Sequence, residues 1–302
     1  SAAVREELVF SFRVRDGGAF QFAHDRIRQA ARSCLDDATA TSWHARIGRR
    51  LGRQKSPSLF ELVHHLNQAG EHLSGAERTK LAEHNLDAGQ RALMSVAYAP
   101  ALNFFDAGLA NAPTREVSLL LHLGAAEAAY LSGDRGRAKV EVDTVLRLSD
   151  DPLTQAMALR IQMRQAVSGG SLSEAVDIGI EALKRLHVHL PHAPTKLVIA
   201  TDMARTRVRL RRAPLSRVHD PELTDRVQGM ALELLAELAP PVYLARQDLL
   251  PLLGCAMARI NAEYGVNELA SYAYALYALV LSAFGDYASA RDYGDLSEKL
   301  GE

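Results

Sequence analysis

Six arginines crowd one short stretch, Arg205, Arg207, Arg209, Arg211, Arg212 and Arg217, with no acidic residue between Asp202 and Asp220. A basic stripe of this kind can hold phosphates, RNA or the acidic surface of a protein partner, or can be a solvated face. No Phe, Tyr or Trp is interleaved, which argues against base stacking. As a strand, the first four would share one face. As a helix, which the flanking residues favour, Arg205, Arg209 and Arg212 line one side and Val208 the other. Upstream, His187, His189 and His192 surround Leu190-Pro191. His-x-His can ligate a metal, but no Asp, Glu or Cys accompanies it locally, so no metal site is expected. His64-His65 and His84 read as isolated residues on helices, and Cys34 and Cys255 as buried apolar thiols. Tyr272, Tyr274, Tyr277, Phe284 and Tyr287 recur at helical spacing, which fills a core more readily than a groove; on a concave face they would anchor a peptide or apolar ligand. There is no G-x-x-x-x-G-K-[ST] and no G-x-G-x-x-G, so the chain carries no phosphate loop and no catalytic residue is assigned.

Composition bounds the elements that must position these groups. At roughly 150 residues per domain, 302 residues suggest one or two domains. Hydrophobic residues at 48% and charged ones at 24% describe a globular chain. Lys plus Arg (35) almost cancels Asp plus Glu (36), so a net charge of -1 gives no global attraction to nucleic acid or anionic membrane. About one residue in six is Ala, which favours closely packed helices. No apolar run approaches the ~18 to 20 residues that span a bilayer. The first seven residues hold no signal-peptide stretch, and two cysteines make no disulfide framework, so a reducing cytoplasm is the expected compartment.

Residues 9 to 23 read as the only β structure. Val9 to Val14 and Ala19 to Ala23 alternate, and Asp16-Gly17-Gly18 supplies the positive-φ residues of a tight turn. A helix opens at His24 and reaches about Leu35. A hairpin alone is too little sheet to be stable, and this one reads as the wing of a winged-helix unit whose earlier helices precede Ser1. From Thr39 onward almost everything is helix: Trp43, Ile47 and Leu51 form one apolar stripe. Leu59, Leu62, Val63 and Leu66 form the next, after Ser56-Pro57 as cap and first turn.

An internal period sets the architecture. Val96, Gly133 and Gly170 are turn positions 37 residues apart, each followed five residues later by Ala (Ala101, Ala138, Ala175). Gly285 and Ala290 repeat the layout 115 residues on, and Gly89, Ala126, Met163 and Ala278 stand seven residues before the four turns. This is the layout of tetratricopeptide-like repeats, in which small residues let two antiparallel helices close and neighbouring pairs stack into a superhelix. Residues 190 to 270 hold no clean copy.

Phe20-Gln21-Phe22-Ala23-His24-Asp25-Arg26-Ile27-Arg28-Gln29-Ala30-Ala31 resembles a junction in the STAND class of signal-transduction ATPases. His44 to Leu51, Leu59 to Asn67 and Leu86 to Ala92 follow it in the same order. The order is similar to that in very large bacterial proteins that set an AAA-type ATPase and helical repeats beside serine/threonine or histidine kinases. Leu186 to Pro191 and His219-Asp220-Pro221 fit more loosely. The resemblance implies an ATPase domain before Ser1 that binds ATP or ADP with Mg²⁺, sensor or kinase domains after Glu302, and no cofactor in this segment. It also implies that His24, with Asp25, contacts the β-phosphate of ADP in the intact protein; the plain alternative is that His24 caps its helix or packs beneath the hairpin with Asp25 as N-cap.

The expected fold is therefore all-α, a tetratricopeptide-like superhelix of antiparallel helix pairs with a small N-terminal β-hairpin. Residues 1-54 form a winged-helix-like remnant and residues 55-302 the repeats. The expected role is non-catalytic: the repeats bind a protein partner, the intramolecular ATPase or kinase domains, or a small molecule or peptide on a concave face, and bias the nucleotide switch. Membrane and nucleic acid are not expected partners. The alternative is a nucleic-acid-binding transcriptional regulator that uses the wing and the stripe from Arg205 to Arg217.

Overall fold

Several helices in this chain begin where a side chain accepts the free amides of the first turn. Asp36 accepts from the Thr39 N–H at 2.6 Å, Asp151 from Thr154 at 2.8 Å, and Asp225 from both Val227 and Gln228. Ser74 and Glu77 form a reciprocal capping box. The structure, a computed structural model, describes residues 6, 8–14, 17–111, 113–212 and 222–301. It is all-α apart from one hairpin. Strands β1 (Val9–Val14) and β2 (Gly17–Phe22) pair antiparallel, with Val9 opposite Phe22 and Val14 opposite Gly17. Gly17 and Gly18 thus lie inside β2 and not in the turn expected of them. Residues 15 and 16 lie outside the described ones.

Fourteen α-helices follow among the described residues: α1 (Asp25–Ser33), α2 (Asp37–Gly52), α3 (Leu59–Asn67), α4 (Gly75–Met94), α5 (Tyr98–Ala110), α6 (Arg115–Leu131) and α7 (Arg135–Leu148). Then come α8 (Pro152–Ser168), α9 (Leu172–Arg185), α10 (Lys196–Arg212), α11 (Arg226–Ala245), α12 (Leu250–Tyr264), α13 (Ala270–Ala283) and α14 (Tyr287–Gly301). Ser58, not Ser56, caps α3, so Pro57 precedes the helix.

The four turn positions share one backbone solution. Val96, Gly133, Gly170 and Gly285 have φ of 61°, 87°, 80° and 81°. In each, the amide of the next residue reaches back to a carbonyl five residues earlier, as in Ala97 to Ala92 and Asp134 to Ala129, both 2.9 Å. The helix pairs α4–α5, α6–α7, α8–α9 and α13–α14 hinge on these turns. Glycine also sets the pair spacing: a Cβ on Gly89 would lie 2.4 Å from the Phe105 ring, and one on Gly124 2.5 Å from the same ring.

First helices of successive pairs pack on one another, α4 on α6, α6 on α8 and α8 on α11, while second helices pack mainly on the first helices that flank them. The stack therefore curves with its first helices inside. One break interrupts it. Helix α9 packs on α11, not on α10, and α10 lies against α12. An extra helix thus sits outside the stack, which lengthens the last interval and accounts for the absence of a clean copy between 190 and 270.

Burial runs as a series of local cores, as expected of a quasi-one-dimensional stack. Ala45, Ala69, Leu73 and Leu81 form the first, which crosses the boundary expected after residue 54. The largest gathers α8, α9, α11 and α12 around Leu183, Leu235, Leu238 and Met257, with Ile199 of α10 and Ala273 and Leu276 of α13 joining it. Trp43 and Ile47 do not join a core; they are 46% and 37% exposed, and the face of α2 that packs carries Ala45 and Gly48. No helix among the described residues is long and apolar enough to cross a membrane.

Candidate functional site

Helical geometry divides the arginine stripe. Residues at i, i+2, i+4 and i+6 alternate between two sides of a helix, and each side of α10 faces a different neighbour. Arg205 and Arg209 line a groove between α10 and α12, whereas Arg207 and Arg211 line a hollow beside the start of α14. Val208 lies with Arg205 in the first groove, three residues on, not opposite it. Arg207 pairs with Asp286, and Arg209 pairs with Glu263 at 2.6 Å. The stripe is therefore not one continuous free basic face. Arg217 and the 219–221 segment lie outside the described residues, as does the side chain of Arg212.

The α10–α12 groove encloses about 750 Å³ and also collects His187 and His189. These histidines arrive there because α9 ends in a left-handed turn at His187, φ 62°, whose following amide returns to Leu183 at 2.9 Å. The groove floor comes from Ala256 and Ile260 of α12. Arg259 reaches across it to Asp202 at 2.8 Å and to Thr206, so α10 is tied to α12 by two ion pairs. Sequence reasoning did not identify Arg259 and Glu263, whose only local signal is their i, i+4 spacing on one helix face; Tyr264, one of the aromatics concentrated between residues 243 and 293, lines the same groove. Beneath the groove, burial pushes the Cys255 thiol up to about 11, against a hydrogen bond with Thr206 that lowers it. It is an inert packing group. Cys34, expected to be buried, is exposed.

His192 leaves the other two histidines and meets Asp177 of α9 at 3.1 Å, an acidic neighbour that local sequence did not show. His64 and His65 are not isolated either. Their rings cluster with His44 of α2, with His65 Nδ1 3.0 Å from His44 Nδ1. Burial, then the neighbouring imidazoles, lowers the proton affinity of both His44 and His65. Among the described residues no group of three or more His, Cys, Asp and Glu could hold a metal ion.

The aromatics divide as well. Tyr274, Tyr277 and Tyr293 pack together in a core, whereas Tyr243 and Phe284 line an apolar groove of about 800 Å³ with Leu279. At the other end of the chain His24 is exposed and is the N-cap of α1, accepting weakly from the Arg26 N–H at 3.5 Å. Asp25, the first residue of α1 and not its cap, pairs with Arg28 at 3.2 Å on the surface.

On the first helices, the inner side of the curve carries an ion network. Arg164 binds Glu237 at 2.6 Å and Glu127 at 3.0 Å, and Arg160 binds Glu237 and Glu233. Burial alone would raise the Glu237 carboxyl, but hydrogen bonds from Arg164 and Arg160 outweigh it and hold it low. Both arginines of that stretch are thus engaged by carboxylates, whereas the α10–α12 groove is lined by three arginines and two carboxylates. No protein-family model and no curated protein matches the chain.

Proposed function

We propose that this chain is the non-catalytic sensor and scaffold segment of a STAND-type ATPase signalling protein. Its helical repeats receive a ligand or partner and bias an upstream nucleotide switch and a linked kinase or output domain. The observation that supports the reading best is the break in the stack at α10. A recessed, positively charged groove lies there between an added helix and the repeats, so an occupant would bear on both. A ligand shifts such an equilibrium only by its differential affinity for the two packings. The exposed His24 at the strand-to-helix corner suits contact with a diphosphate on a neighbouring domain, since an imidazole N–H can donate to a phosphate oxygen. A nucleic-acid regulator would instead use several free arginines along one face, and Arg207 and Arg209 are already engaged by carboxylates.

The experiment is ADP retention by the intact ATPase-bearing protein, with and without His24→Ala. Faster ADP loss in the variant supports the reading. Equal retention removes His24 from the switch, and any turnover by the isolated chain refutes the non-catalytic assignment.

A further inference from the structure

We infer that the α10–α12 groove binds a small organic monocarboxylate with an apolar body, a medium-chain or aromatic acid. Charge bookkeeping within the groove carries the argument. Three guanidinium groups line it, from Arg205, Arg209 and Arg259, together with two carboxylates, Asp202 and Glu263. Glu263 is taken by Arg209 and Asp202 by Arg259. Arg205 is left exposed and without a counter-ion among the described residues. One uncompensated guanidinium calls for one negative charge, and its planar fork fits a carboxylate through two parallel N–H···O bonds. A phosphate dianion fits worse, because its second charge would lie among the Asp202 and Glu263 carboxylates with no cation left to meet it.

The rest of the groove selects the body of the ligand. Val208 is 53% exposed beside Arg205, and Ala256 and Ile260 make the floor opposite. His189 is held by a hydrogen bond between its Nδ1 and the His187 carbonyl at 3.2 Å, and its ring forms part of the wall. A volume of about 750 Å³ is that of a small-molecule site, not of a surface for a duplex. Covering the exposed Val208 side chain with an alkyl or aryl body removes apolar surface from water, while the carboxylate meets Arg205.

The test is calorimetric titration of the chain with octanoate, octylamine, octanol and inorganic phosphate, on the native protein and on Arg205→Gln, Val208→Asp and Lys196→Gln. Arg205 and Val208 are exposed, so both variants should fold; Lys196 lines the separate apolar groove near Tyr243 and Phe284. The expected result is that octanoate binds at least tenfold tighter than the other three probes. Arg205→Gln and Val208→Asp should each weaken it about tenfold or more, and Lys196→Gln should not. Octanoate binding indifferent to Arg205→Gln overturns the site, as does octanol binding as tightly as octanoate, or phosphate competing equally with it. A peptide ending in a leucine carboxylate that binds more tightly than octanoate, with its amide inert, overturns the small-molecule assignment in favour of a protein C-terminus. The inference rests on reading the stack as a ligand-receiving segment. Octanoate binding that depends on Arg205 but leaves ADP retention in the intact protein unchanged would refute that reading and keep the site.

Discussion

Phe105 is wholly buried between two helices that each present a glycine to it, Gly89 of α4 and Gly124 of α6. A Cβ at position 89 would stand 2.4 to 2.8 Å from three ring atoms, where ordinary carbon contacts need about 3.5 to 4.0 Å. The ring cannot retreat, since the space beyond it is closed by Gly124, whose own Cβ would stand 2.5 to 3.0 Å away. Gly89→Ala therefore acts as overpacking, at about 2 to 3 kcal/mol, the upper part of the usual range. Against this, Ala gains about 0.8 to 1 kcal/mol over Gly in a helix interior. The net expectation is a loss of about 1 to 2 kcal/mol. In a Phe105→Ala background, itself costing about 3 to 5 kcal/mol, the obstacle is gone and Gly89→Ala should stabilise by up to about 1 kcal/mol. The sign of one substitution thus reverses with the state of a residue sixteen positions away, a coupling of about 2 to 3 kcal/mol. Native-state hydrogen exchange at α4 to α6 amides is the suitable assay, because a stack of repeats need not unfold as one unit. Phe105→Leu, which also withdraws the ring, serves if the alanine variant loses local structure. Equal effects of Gly89→Ala in both backgrounds would refute the reasoning.

Val96 holds a left-handed backbone, φ 61°, where its three counterparts are glycines, and 68% of it is exposed. Removing about 1 to 2 kcal/mol of strain at the cost of about 0.4 to 1 kcal/mol of chain entropy, Val96→Gly should stabilise by about 0.5 to 1 kcal/mol; an unchanged or lower urea midpoint for α4 to α5 counts against it. The His44–His65 contact gives a pH dependence of definite sign. Both groups have depressed proton affinity in the fold, so stability is full above their ordinary value of 6.5 and declines as the pH falls below it. Exchange protection of α2 and α3 should fall between pH 7.5 and 5, and less so in His44→Gln; a flat profile contradicts the account.

What was legible in the sequence is what local sterics dictate. A left-handed turn demands glycine or tolerates strain, so three Gly and one Val at matched offsets marked four helix pairs, and the small residues at Gly89, Ala101, Ala138 and Ala175 marked their crossings. The all-α fold followed. Periodicity failed where it had to, since it shows that a helix has an apolar side and not what covers it. Trp43 and Ile47 repeat correctly and remain exposed because α2 packs through Ala45 and Gly48. The two glycines fail for a different cause: glycine signals a turn, yet strand register, a property of two segments together, pairs Gly17 with Val14 and Gly18 with Arg13.

The groove was legible only as its separate parts. Arg205 to Arg211 stood out by composition, but their fates depend on Asp286, Glu263 and Asp202, which the fold brings near from other helices or a turn away. A regular repeat would have buried one side of α10 and given the other to water. Because α11 takes the place beside α9, α10 is left outside the stack and both its sides meet neighbours, α12 on one and the start of α14 on the other. Alternate arginines are then sorted into two hollows. In one, Asp286 pairs with Arg207, and Asp292 and Arg211 line the same hollow; in the other, Arg209 and Arg259 take the two carboxylates and Arg205 has none. The break in the period and the unmatched charge are thus one event, the displacement of a single helix, and sensitivity of ligand binding to Arg205 but not to Arg207 or Arg211 is the form that this displacement should take in solution.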